Sequence, residues 1–383
     1  MRILHYIPTY APAWRWGGPV ISTASVCESL AALGHEVKVL TTDAGLDASF
    51  RDLNTVRNQV AVHYFPTEKG LGIHSPALER AVTDEVKGFD LLHVTGVWQR
   101  TSPAACAAAR RAGKPFVISP RGALGPYSWR QKRLKKLIYY WWRERSNLAG
   151  AAGFHFTSQM EARECTHFVR HRPSAIIANA VLPGNWSREE ALGLDWKNRN
   201  GLPGDLPLLL NVGRLHHKKG LDLLPAALAS LKSLRWQLAF VGADNDGTAA
   251  QLAESFRKHG LEGRVHFLPP EPPAALPPVY SAGSLFLLPS RHENFGNVVI
   301  EALGAGCPVV VSDQVGNAAD VALSGAAFVL PRSPAEWTKQ IGDFLTGAQP
   351  RPDPAHTAAW TRTNFATGPL ALQMERLYQS VLV

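Results

Sequence analysis

Short apolar runs alternate with helical patterns along this chain, and the alternation occurs twice. In the first half, Arg2–Ile7 and Glu36–Thr41 are predicted strands, and Pro19–Leu33 is the predicted helix between them. The pattern begins again at Pro207–Val212, a predicted strand that precedes a predicted helix over Leu221–Leu231. Strands that alternate with helices are typical of parallel sheets, whose strands are joined by crossover helices. The sequence therefore predicts an α/β protein with two Rossmann-like, parallel-sheet domains.

A turn-rich stretch separates the two halves, with Pro183-Gly-Asn-Trp and Gly201-Leu-Pro-Gly as its clearest breakers. We expect an N-terminal domain over 1–180 and a C-terminal domain over 181–360. A last helical segment over 361–383 is expected to cross back to the N-terminal domain. Open α/β sheets bind ligands at the carboxyl ends of their strands. We therefore expect the two domains to face a central cleft.

The composition excludes several classes of protein. Hydrophobic residues make up 45% of the chain and charged residues 19%, which is typical of a globular protein and not of a disordered one. The four cysteines form no C-x-x-C pair, so they are expected to be reduced thiols. No run reaches the roughly 18 apolar residues that span a bilayer, and the first eight residues do not resemble a secretory signal. We expect a cytoplasmic protein, at most peripheral at the inner face of the cell membrane.

The net charge of +9 is concentrated in one segment. Arg110–Arg145 holds eleven Lys and Arg residues against one acid, Glu144, while the rest of the chain has 29 basic and 30 acidic residues. A local patch of this kind predicts contact with phosphate or with an anionic surface. It does not predict a nucleic-acid-binding protein.

Within that segment, Ser128-Trp-Arg-Gln131 matches a capping box and predicts the start of a helix. Apolar residues then recur at helical spacing, with basic residues on the other side: Leu134, Leu137, Ile138 and Trp141 against Arg133, Lys136 and Arg143. One interpretation is a helix docked on the N-terminal domain with a solvated basic face. The other is that 128–145, which is rich in aromatic residues, binds an anionic membrane surface.

The strongest candidate for chemistry is Glu293-Asn-Phe-Gly-Asn-Val-Val-Ile-Glu301, which opens a predicted helix. Gly296 lets the backbone pass close to a ligand, and free N–H groups at Phe295–Val298 suit a diphosphate. Glu293 precedes the helix, where a carboxylate can accept bonds from sugar hydroxyls. Glu301 lies about two turns into the helix and suits ribose hydroxyls. Taken alone, the segment also fits an ordinary helix with a solvated glutamate.

A basic loop follows the predicted strand of the second half, with the sequence Gly213-Arg-Leu-His-His-Lys-Lys-Gly220. Arg214 and Lys219 would lie at the carboxyl end of that strand, where ligands bind. Two cations there would neutralise the charge on a leaving diphosphate. A basic surface loop is the alternative.

Two further motifs are weaker signals of a binding site. Gly17-Gly18 precedes a Pro-started helix and is either a second anion-binding helix terminus or a plain turn. Asp244-Asn-Asp246 spells D-x-D, but its Asp, Asn and Gly residues favour a turn. His216 and His217 are adjacent in the sequence, but adjacent residues do not by themselves direct two ligand atoms at one metal ion. No metal site is therefore predicted.

In combination, these motifs resemble those of the glycosyltransferases of family 4, which have the GT-B fold. The resemblance covers nearly the whole chain through Gly17-Gly18, Asn179-Ala-Val, Arg214 with Lys219, Glu293-x7-Glu301, and the run from Ala302 to Val311. The family transfers sugars from nucleotide donors with retention of configuration and without a required metal. The resemblance therefore implies a nucleotide-diphosphate sugar as donor substrate and no cofactor.

The same resemblance implies the roles of individual residues. Arg214 and Lys219 would bind the diphosphate, which Gly17 and Gly18 would approach. Glu293, with the backbone of Phe295, Gly296 and Asn297, would hold the donor sugar. Glu301 would bind the ribose.

Two departures from the family pattern concern the N-terminal domain. Many members have H-x-H after the fourth strand, where this chain has His93-Val-Thr95, and many have a histidine after the next strand, where it has Ile118-Ser-Pro-Arg121-Gly122. His93 is expected at the acceptor side. Arg121 can steady a sugar or a phosphate electrostatically but cannot act as a base.

The expected function is a retaining, metal-independent transfer of a sugar to a glycan or a lipid-diphosphate-linked acceptor. The S-P-R-G form, followed by aromatic and basic residues, resembles members that build cell-surface polysaccharides. Two alternatives remain: a sugar-nucleotide hydrolase or epimerase on the same fold, and a catalytically silent nucleotide-sugar-binding scaffold.

Overall fold

The computed structural model describes residues 1–47, 50, 53–68, 73–169, 172–180 and 186–382. The chain divides into two compact units. Unit 1 comprises Met1–Val181 together with Thr367–Val383, and unit 2 comprises Leu182–Ala366. In the part of the chain that the structure describes, no helix is both long and apolar enough to span a membrane.

Unit 1 is built on an eight-stranded sheet with the order β3-β4-β2-β1-β5-β6-β7-β8. All neighbouring strands are parallel except β3 and β4. The strands are β1 (Arg2–Thr9), β2 (Glu36–Thr42), β3 (Asn54–Arg57), β4 (Val60–Phe65), β5 (Leu91–Thr95), β6 (Phe116–Ser119), β7 (Gly153–Phe156) and β8 (Ser174–Ile176). The helices after these strands are α1 (Gly18–Ala32), α2 (Pro76–Glu85), α3 (Ser102–Arg111), α4 (Pro126–Arg130), α5 (Arg133–Tyr139), α6 (Arg145–Gly150), α7 (Gln159–Glu164) and α8 (Thr166–Val169).

The hairpin of β3 and β4 is an element that the periodicity analysis did not predict. Its two-residue turn, Asn58-Gln59, has φ of 46° and 66°. Hairpins of this kind need two left-handed residues, for which Asn-Gly and Asp-Gly are the usual sequences. Because Gln stands at the second position, the common sequence signal for the turn is missing.

Unit 2 is built on a six-stranded parallel sheet with the order β11-β10-β9-β12-β13-β14. The strands are β9 (Leu208–Val212), β10 (Gln237–Val241), β11 (Val265–Leu268), β12 (Leu285–Leu288), β13 (Val309–Ser312) and β14 (Ala327–Leu330). The helices are α9 (Glu190–Arg199), α10 (Leu224–Ala229), α11 (Thr248–Lys258), α12 (Leu276–Ala282), α13 (Asn297–Gly304), α14 (Ala318–Val321), α15 (Pro334–Thr346) and α16 (Pro354–Phe365). Both domains are thus Rossmann-like, as the sequence predicts.

The last helix, α17 (Thr367–Leu382), belongs to unit 1. It packs on α1 and β8 and buries Met374, Leu377 and Tyr378 in the core of that unit. The final helical pattern of the sequence is two helices, because α16 ends at Phe365 and Ala366 has extended backbone angles. The chain therefore changes unit between these two helices.

The strand orders place one switch point in each sheet. In unit 2 the chain runs from β9 outward to β10 and β11, then returns to the other side of β9 as β12. In unit 1 the corresponding point lies between β1 and β5. Ligands of open α/β sheets bind where the strand order reverses, outside the carboxyl ends of the strands. The loops after β9 and β12 carry Lys219 and Glu293, so these two residues lie at the switch point of unit 2.

The basic segment of unit 1 differs from its prediction. Ser128 lies inside α4, whose N-cap is Gly125, so the capping-box prediction is wrong. The helical pattern is broken at Lys132, which has φ of 54° and precedes α5. A π-helical turn over Tyr140–Glu144 then joins α5 to α6.

The apolar stripe of this segment is not docked. Its large side chains are exposed: Leu134 71%, Leu137 45%, Ile138 62% and Trp141 61%. The side that packs on unit 1 is aromatic instead, with Trp129 against Trp98 and Phe168. The prediction of a docked stripe is therefore wrong, because spacing identifies a helix face without deciding whether another element covers it.

Candidate functional site

Close backbone packing fixes the loop after β9 against its neighbours. A Cβ on Gly242 would lie 2.0 Å from the Gly213 carbonyl oxygen, and one on Gly220 would lie 2.2 Å from the Pro289 carbonyl oxygen. Gly220 also has φ of 61°, which favours glycine. Glycines here let the loop after β9 lie directly against those after β10 and β12. Arg332 bridges two of these loops, since its Nε donates to the Pro289 carbonyl oxygen at 2.8 Å and its Nη2 to that of Gly220 at 3.3 Å.

This packing brings Lys219 and Glu293 together. The Lys219 ammonium lies 2.6 Å from the Glu293 carboxylate, and both side chains are partly buried. The backbone of Glu293 is held in turn, because its N–H donates to Gln314 and its carbonyl accepts from the Gly316 N–H. Burial raises the pKa of Glu293, but the Lys219 charge and hydrogen bond, with Lys218 and His292, outweigh burial and hold it below its usual value. The pair is therefore ionised.

Helix α13 begins immediately beyond this pair. Its N-cap is Gly296, with φ of 94°, and a Cβ there would lie 2.7 Å from a methyl group of Val315. Both the backbone angle and the space require glycine. Phe295 is buried and its ring packs on Phe365, so only its backbone is available to a ligand. Asn297 opens the helix, whose first N–H groups and dipole favour an anion.

Glu301 lies on the second turn of α13 and is almost fully buried. The Tyr280 hydroxyl at the end of α12 donates to its Oε2 at 2.6 Å. Burial raises the pKa of Glu301, while the Tyr280 hydrogen bond and the Lys219 charge oppose that rise. Tyr280 is a residue that the sequence analysis did not single out. It precedes Glu301 by 21 residues in an ordinary Pro-rich helix, and no local motif marks it.

Arg214 is exposed on the same loop as Lys219, and it forms no ion pair with any described residue. Its charge acts on Lys218, whose pKa is lowered first by burial and then by the Lys219 and Arg214 charges, against the opposing effect of Glu293. The loop after β9 therefore carries three cations, of which Lys218 and Lys219 act on the Glu293 carboxylate. Such a surplus of positive charge suits an anionic ligand.

In unit 1, Gly17 is the N-cap of α1, with φ of 75°, and Gly18 is the first residue of that helix. A Cβ on Gly17 would meet no atom within 4 Å, so the backbone angle and not the space requires glycine. The 15-residue helix begins in the loop after β1, at the switch point of this sheet. The geometry fits the predicted helix terminus.

His93 is fully buried under α17 in a histidine cluster formed by His5, His93 and His155. Its Nδ1 lies 2.6 Å from the Tyr378 hydroxyl, and its ring stacks on His5 with the centroids 4.4 Å apart. Burial, with the nearby Arg121 charge, lowers the pKa of His5 and of His155 to about 3. The cluster is therefore neutral near pH 7. The predicted contact of His93 with substrate stays a prediction.

Arg121 follows β6 in a left-handed conformation, with φ of 55°. Its Nη1 donates to Asn179, and its charge reaches the histidine cluster. Burial lowers the pKa of Arg121, with Glu161 the first of the groups that oppose this effect. No carboxylate of the described residues forms an ion pair with it. A non-glycine residue in this conformation is uncommon and is often found at functional sites.

The D-x-D sequence forms a turn. Both oxygens of Asp244 accept backbone N–H groups at the start of α11, and Asp246 accepts from Thr248. The fold nevertheless brings His216, His217 and Asp246 together, with one ligand atom of each within 4.8 Å of the others, which sequence adjacency did not predict. His216 Nδ1 accepts from the Lys218 N–H at 3.2 Å, so the neutral ring carries its proton on Nε2. Because a metal ligand at Nε2 would need the opposite tautomer, we assign no metal here.

Comparison with known proteins agrees with this geometry. Residues 17–180 match the model of a glycosyl transferase 4-like domain, and residues 194–359 match that of the glycosyl transferases group 1. A D-inositol 3-phosphate glycosyltransferase of Nocardia farcinica is 37% identical over 155 residues, which are 37% of this chain and 33% of that protein. The chain spans less than half of the length of the first curated relatives it matches.

Solved structures show the same fold over the whole chain. HepE of Anabaena, solved in complex with UDP, superposes with a TM-score of 0.78 at 20% identity, over 99% of this chain and 100% of that one. WaaG, a glycosyltransferase involved in lipopolysaccharide biosynthesis, superposes with a TM-score of 0.67 at 18% identity, over 98% of each chain. With both domains matched by family models and both sheets matched in structure, the chain belongs to the family 4 glycosyltransferases of the GT-B fold.

Proposed function

We propose that this protein transfers a sugar from a nucleoside-diphosphate donor to an acceptor hydroxyl. One arrangement carries the proposal: Lys219, Glu293, Glu301 and the start of α13 all surround the switch point between β9 and β12. A cation, a helix terminus and two carboxylates match the three parts of such a donor. These parts are a diphosphate, a sugar and a ribose.

In this proposal Lys219, Arg214 and the N–H groups at the start of α13 bind the diphosphate. Glu293, with the backbone around Gly296, accepts hydrogen bonds from the sugar, and Glu301 accepts them from the ribose. HepE, which has the same fold, is solved with UDP and with UDP-glucose, which supports a nucleotide sugar as donor here.

The proposed chemistry is retaining and needs no metal. The bond between the sugar anomeric carbon and the diphosphate oxygen breaks, and its electron pair leaves with the diphosphate. The acceptor oxygen bonds to the same face of that carbon, and its proton passes to the leaving phosphate. Lys219 and Arg214 stabilise the charge that develops on the diphosphate.

The acceptor is proposed to be a glycan or a lipid-linked sugar of cell-surface polysaccharide synthesis. WaaG, of the same fold, is a glycosyltransferase involved in lipopolysaccharide biosynthesis, and several curated relatives are named D-inositol 3-phosphate glycosyltransferases. Arg121 supports an acceptor that carries an anionic group. Its guanidinium keeps no carboxylate partner among the described residues, so it is available to a phosphate oxygen.

An anionic membrane surface is proposed as the partner of 128–145. Here exposed apolar side chains alternate with exposed cations such as Arg133, Lys135 and Arg143. Exposed apolar patches next to basic residues are typical of helices that lie in the membrane interface. The aromatic anchors Trp129 and Tyr139 face unit 1 and would hold the segment in place.

Vesicle sedimentation tests the membrane proposal. Trp141→Ala/Trp142→Ala, which removes two exposed indoles, should weaken binding to vesicles that contain anionic lipid by about tenfold or more. The matched control is Leu323→Ala, an exposed apolar residue of unit 2. Equal sedimentation with and without anionic lipid would remove the proposal.

The transfer proposal is tested by thermal-shift screening with nucleoside diphosphates and their sugars. A ligand at a hundred times its Kd should stabilise the donor site by about 2.7 kcal/mol. The nucleotide sugar that stabilises best is then incubated with extracted lipid-linked acceptors, and product formation is followed by mass spectrometry. Donor consumption without an acceptor would favour a hydrolase, and binding without any consumption would favour a scaffold.

A further inference from the structure

We infer that Tyr280 is a positioning residue for the nucleotide, acting through Glu301. The inference rests on the proposed function, in which Glu301 accepts hydrogen bonds from the ribose. Tyr280 is fully buried and its hydroxyl donates to Oε2 of Glu301 at 2.6 Å. The bond joins α12 to α13 in the middle of the proposed donor site.

The geometry gives Tyr280 two consequences for ligand binding. First, the bond occupies Oε2 and fixes the rotation of the carboxylate, so Oε1 is the oxygen left for a ribose hydroxyl. A carboxylate with one oxygen fixed loses less side-chain entropy when a ligand binds. Second, the bond supplies a donor to a charge that burial disfavours.

Packing around Tyr280 holds it against Glu301. Its ring contacts those of Trp186 and Phe286, with centroids 6.0 and 5.9 Å apart. Arg362 of α16 donates to the Trp186 carbonyl oxygen at 2.7 Å, which ties this ring to the helix that packs on α13. The position of the hydroxyl is therefore determined by the core.

Two titratable groups act on the pair from outside it, and the charged residues of α9, which packs on α12, are not among the groups that shift the pKa of Tyr280 or Glu301. Lys219 acts on Glu301 from the loop after β9, and the Cys307 thiol, which follows α13, acts on Tyr280. The titratable residues of α16 are His356, which is exposed, and Arg362, which is engaged with Trp186. Burial raises the pKa of Glu301 and Tyr280 opposes the rise, so loss of the Tyr280 hydroxyl should raise that pKa further. Protonation puts a hydrogen on the carboxyl group and weakens it as an acceptor of ribose hydrogen bonds. As the solution is acidified, the affinity of Tyr280→Phe should therefore begin to fall at a higher pH than that of the wild type.

The experiment is a cycle of variants and ligands on the full chain by calorimetry. Uridine, guanosine and adenosine diphosphates are titrated first, and the tightest is compared with its 2′,3′-dideoxy analogue, which lacks both ribose hydroxyls. Tyr280→Phe should weaken the nucleotide about tenfold and the dideoxy analogue less than about twofold, as expected for a hydrogen bond to a charged group. On acidification, the affinity of Tyr280→Phe for the nucleotide should also begin to fall at a higher pH than that of the wild type.

Glu301→Gln and Tyr64→Phe are the companion variants. Glu301→Gln should reproduce the ligand pattern of Tyr280→Phe without its shift in pH dependence, and Tyr64→Phe removes one buried hydroxyl in unit 1 and should change neither. If Tyr280→Phe weakens both ligands equally or weakens neither, the inference is overturned and the proposed function stands. If the wild type binds no nucleoside diphosphate, both are overturned.

Discussion

The two glutamates of the proposed donor site in unit 2 have hydrogen-bond donors as partners, whereas the histidine cluster of unit 1 is kept neutral by burial. In unit 2 each glutamate has a donor: Lys219 for Glu293 and Tyr280 for Glu301. In unit 1 the cluster of His5, His93 and His155 has no acidic partner among the described residues, and burial keeps it neutral. A buried group keeps its charge only where a partner offsets the loss of hydration. The first region can therefore meet a charged ligand, while the second is a buried, neutral part of unit 1.

The largest expected effect is at Lys219, in the charged region of unit 2. Lys219→Ala removes a cation from the diphosphate and leaves Glu293 without its partner, so nucleotide affinity should fall by about a hundredfold, the value of one or two charge-assisted hydrogen bonds. Calorimetry measures it against Lys232→Ala, an exposed lysine of unit 2. Affinity within twofold of the wild type would place the diphosphate elsewhere.

The neutral histidine cluster of unit 1 predicts that the folded protein loses stability in acid. The pKa of His5 and of His155 is about 3 in the folded chain and 6.5 when unfolded, so the unfolded chain takes up protons as the pH falls below 6.5 and stability is lost. Each histidine should cost about 2 kcal/mol at pH 5 relative to pH 8. Urea unfolding across this range should show a shallower pH dependence in His155→Gln than in His259→Gln, the exposed control. Equal dependence in the two variants would contradict the neutral state of the cluster.

A smaller effect, which differs between two ligands, is expected at Glu293. Glu293→Gln removes a negative charge beside the proposed phosphates and frees Lys219, so a nucleoside diphosphate without sugar should bind about fivefold tighter. A nucleotide sugar should gain nothing, because the variant also weakens the contact with the sugar. Calorimetry with both ligands checks this, with Glu262→Gln as the exposed control. Weaker binding of both would mean that the ion pair instead holds Lys219 ready for the ligand.

The smallest effect is expected for an ion pair that is exposed to water. Arg235 and Asp205 form an ion pair with side chains 74% and 69% exposed. Water and salt screen such a pair, so Arg235→Ala should change the free energy of unfolding by less than about 0.5 kcal/mol. Urea unfolding at low and high salt measures it. A loss above 1 kcal/mol would show that exposure alone does not decide how much an ion pair contributes to stability.

Local sequence patterns located most of the strands, because buried parallel strands are nearly continuous apolar runs. They also located the start of α13, since Gly296 followed by a helix is a local arrangement. The local patterns failed where the structure depends on whether residues distant in the chain come into contact. The spacing of Leu134 and Ile138 predicts a helix face, but no neighbouring element covers that face, and the residues are exposed.

The sequence by itself determined the fold class, the two domains and the family, because each depends on periodicity or on residues close together in the chain. Only the tertiary structure decided the partners within the site. Lys219 and Glu293 are 74 residues apart, and they meet because strand order places β9 beside β12. Tyr280 reaches Glu301 because two helices pack across the end of a sheet. A hydrogen bond depends on distance in space, and distance along the chain does not fix it.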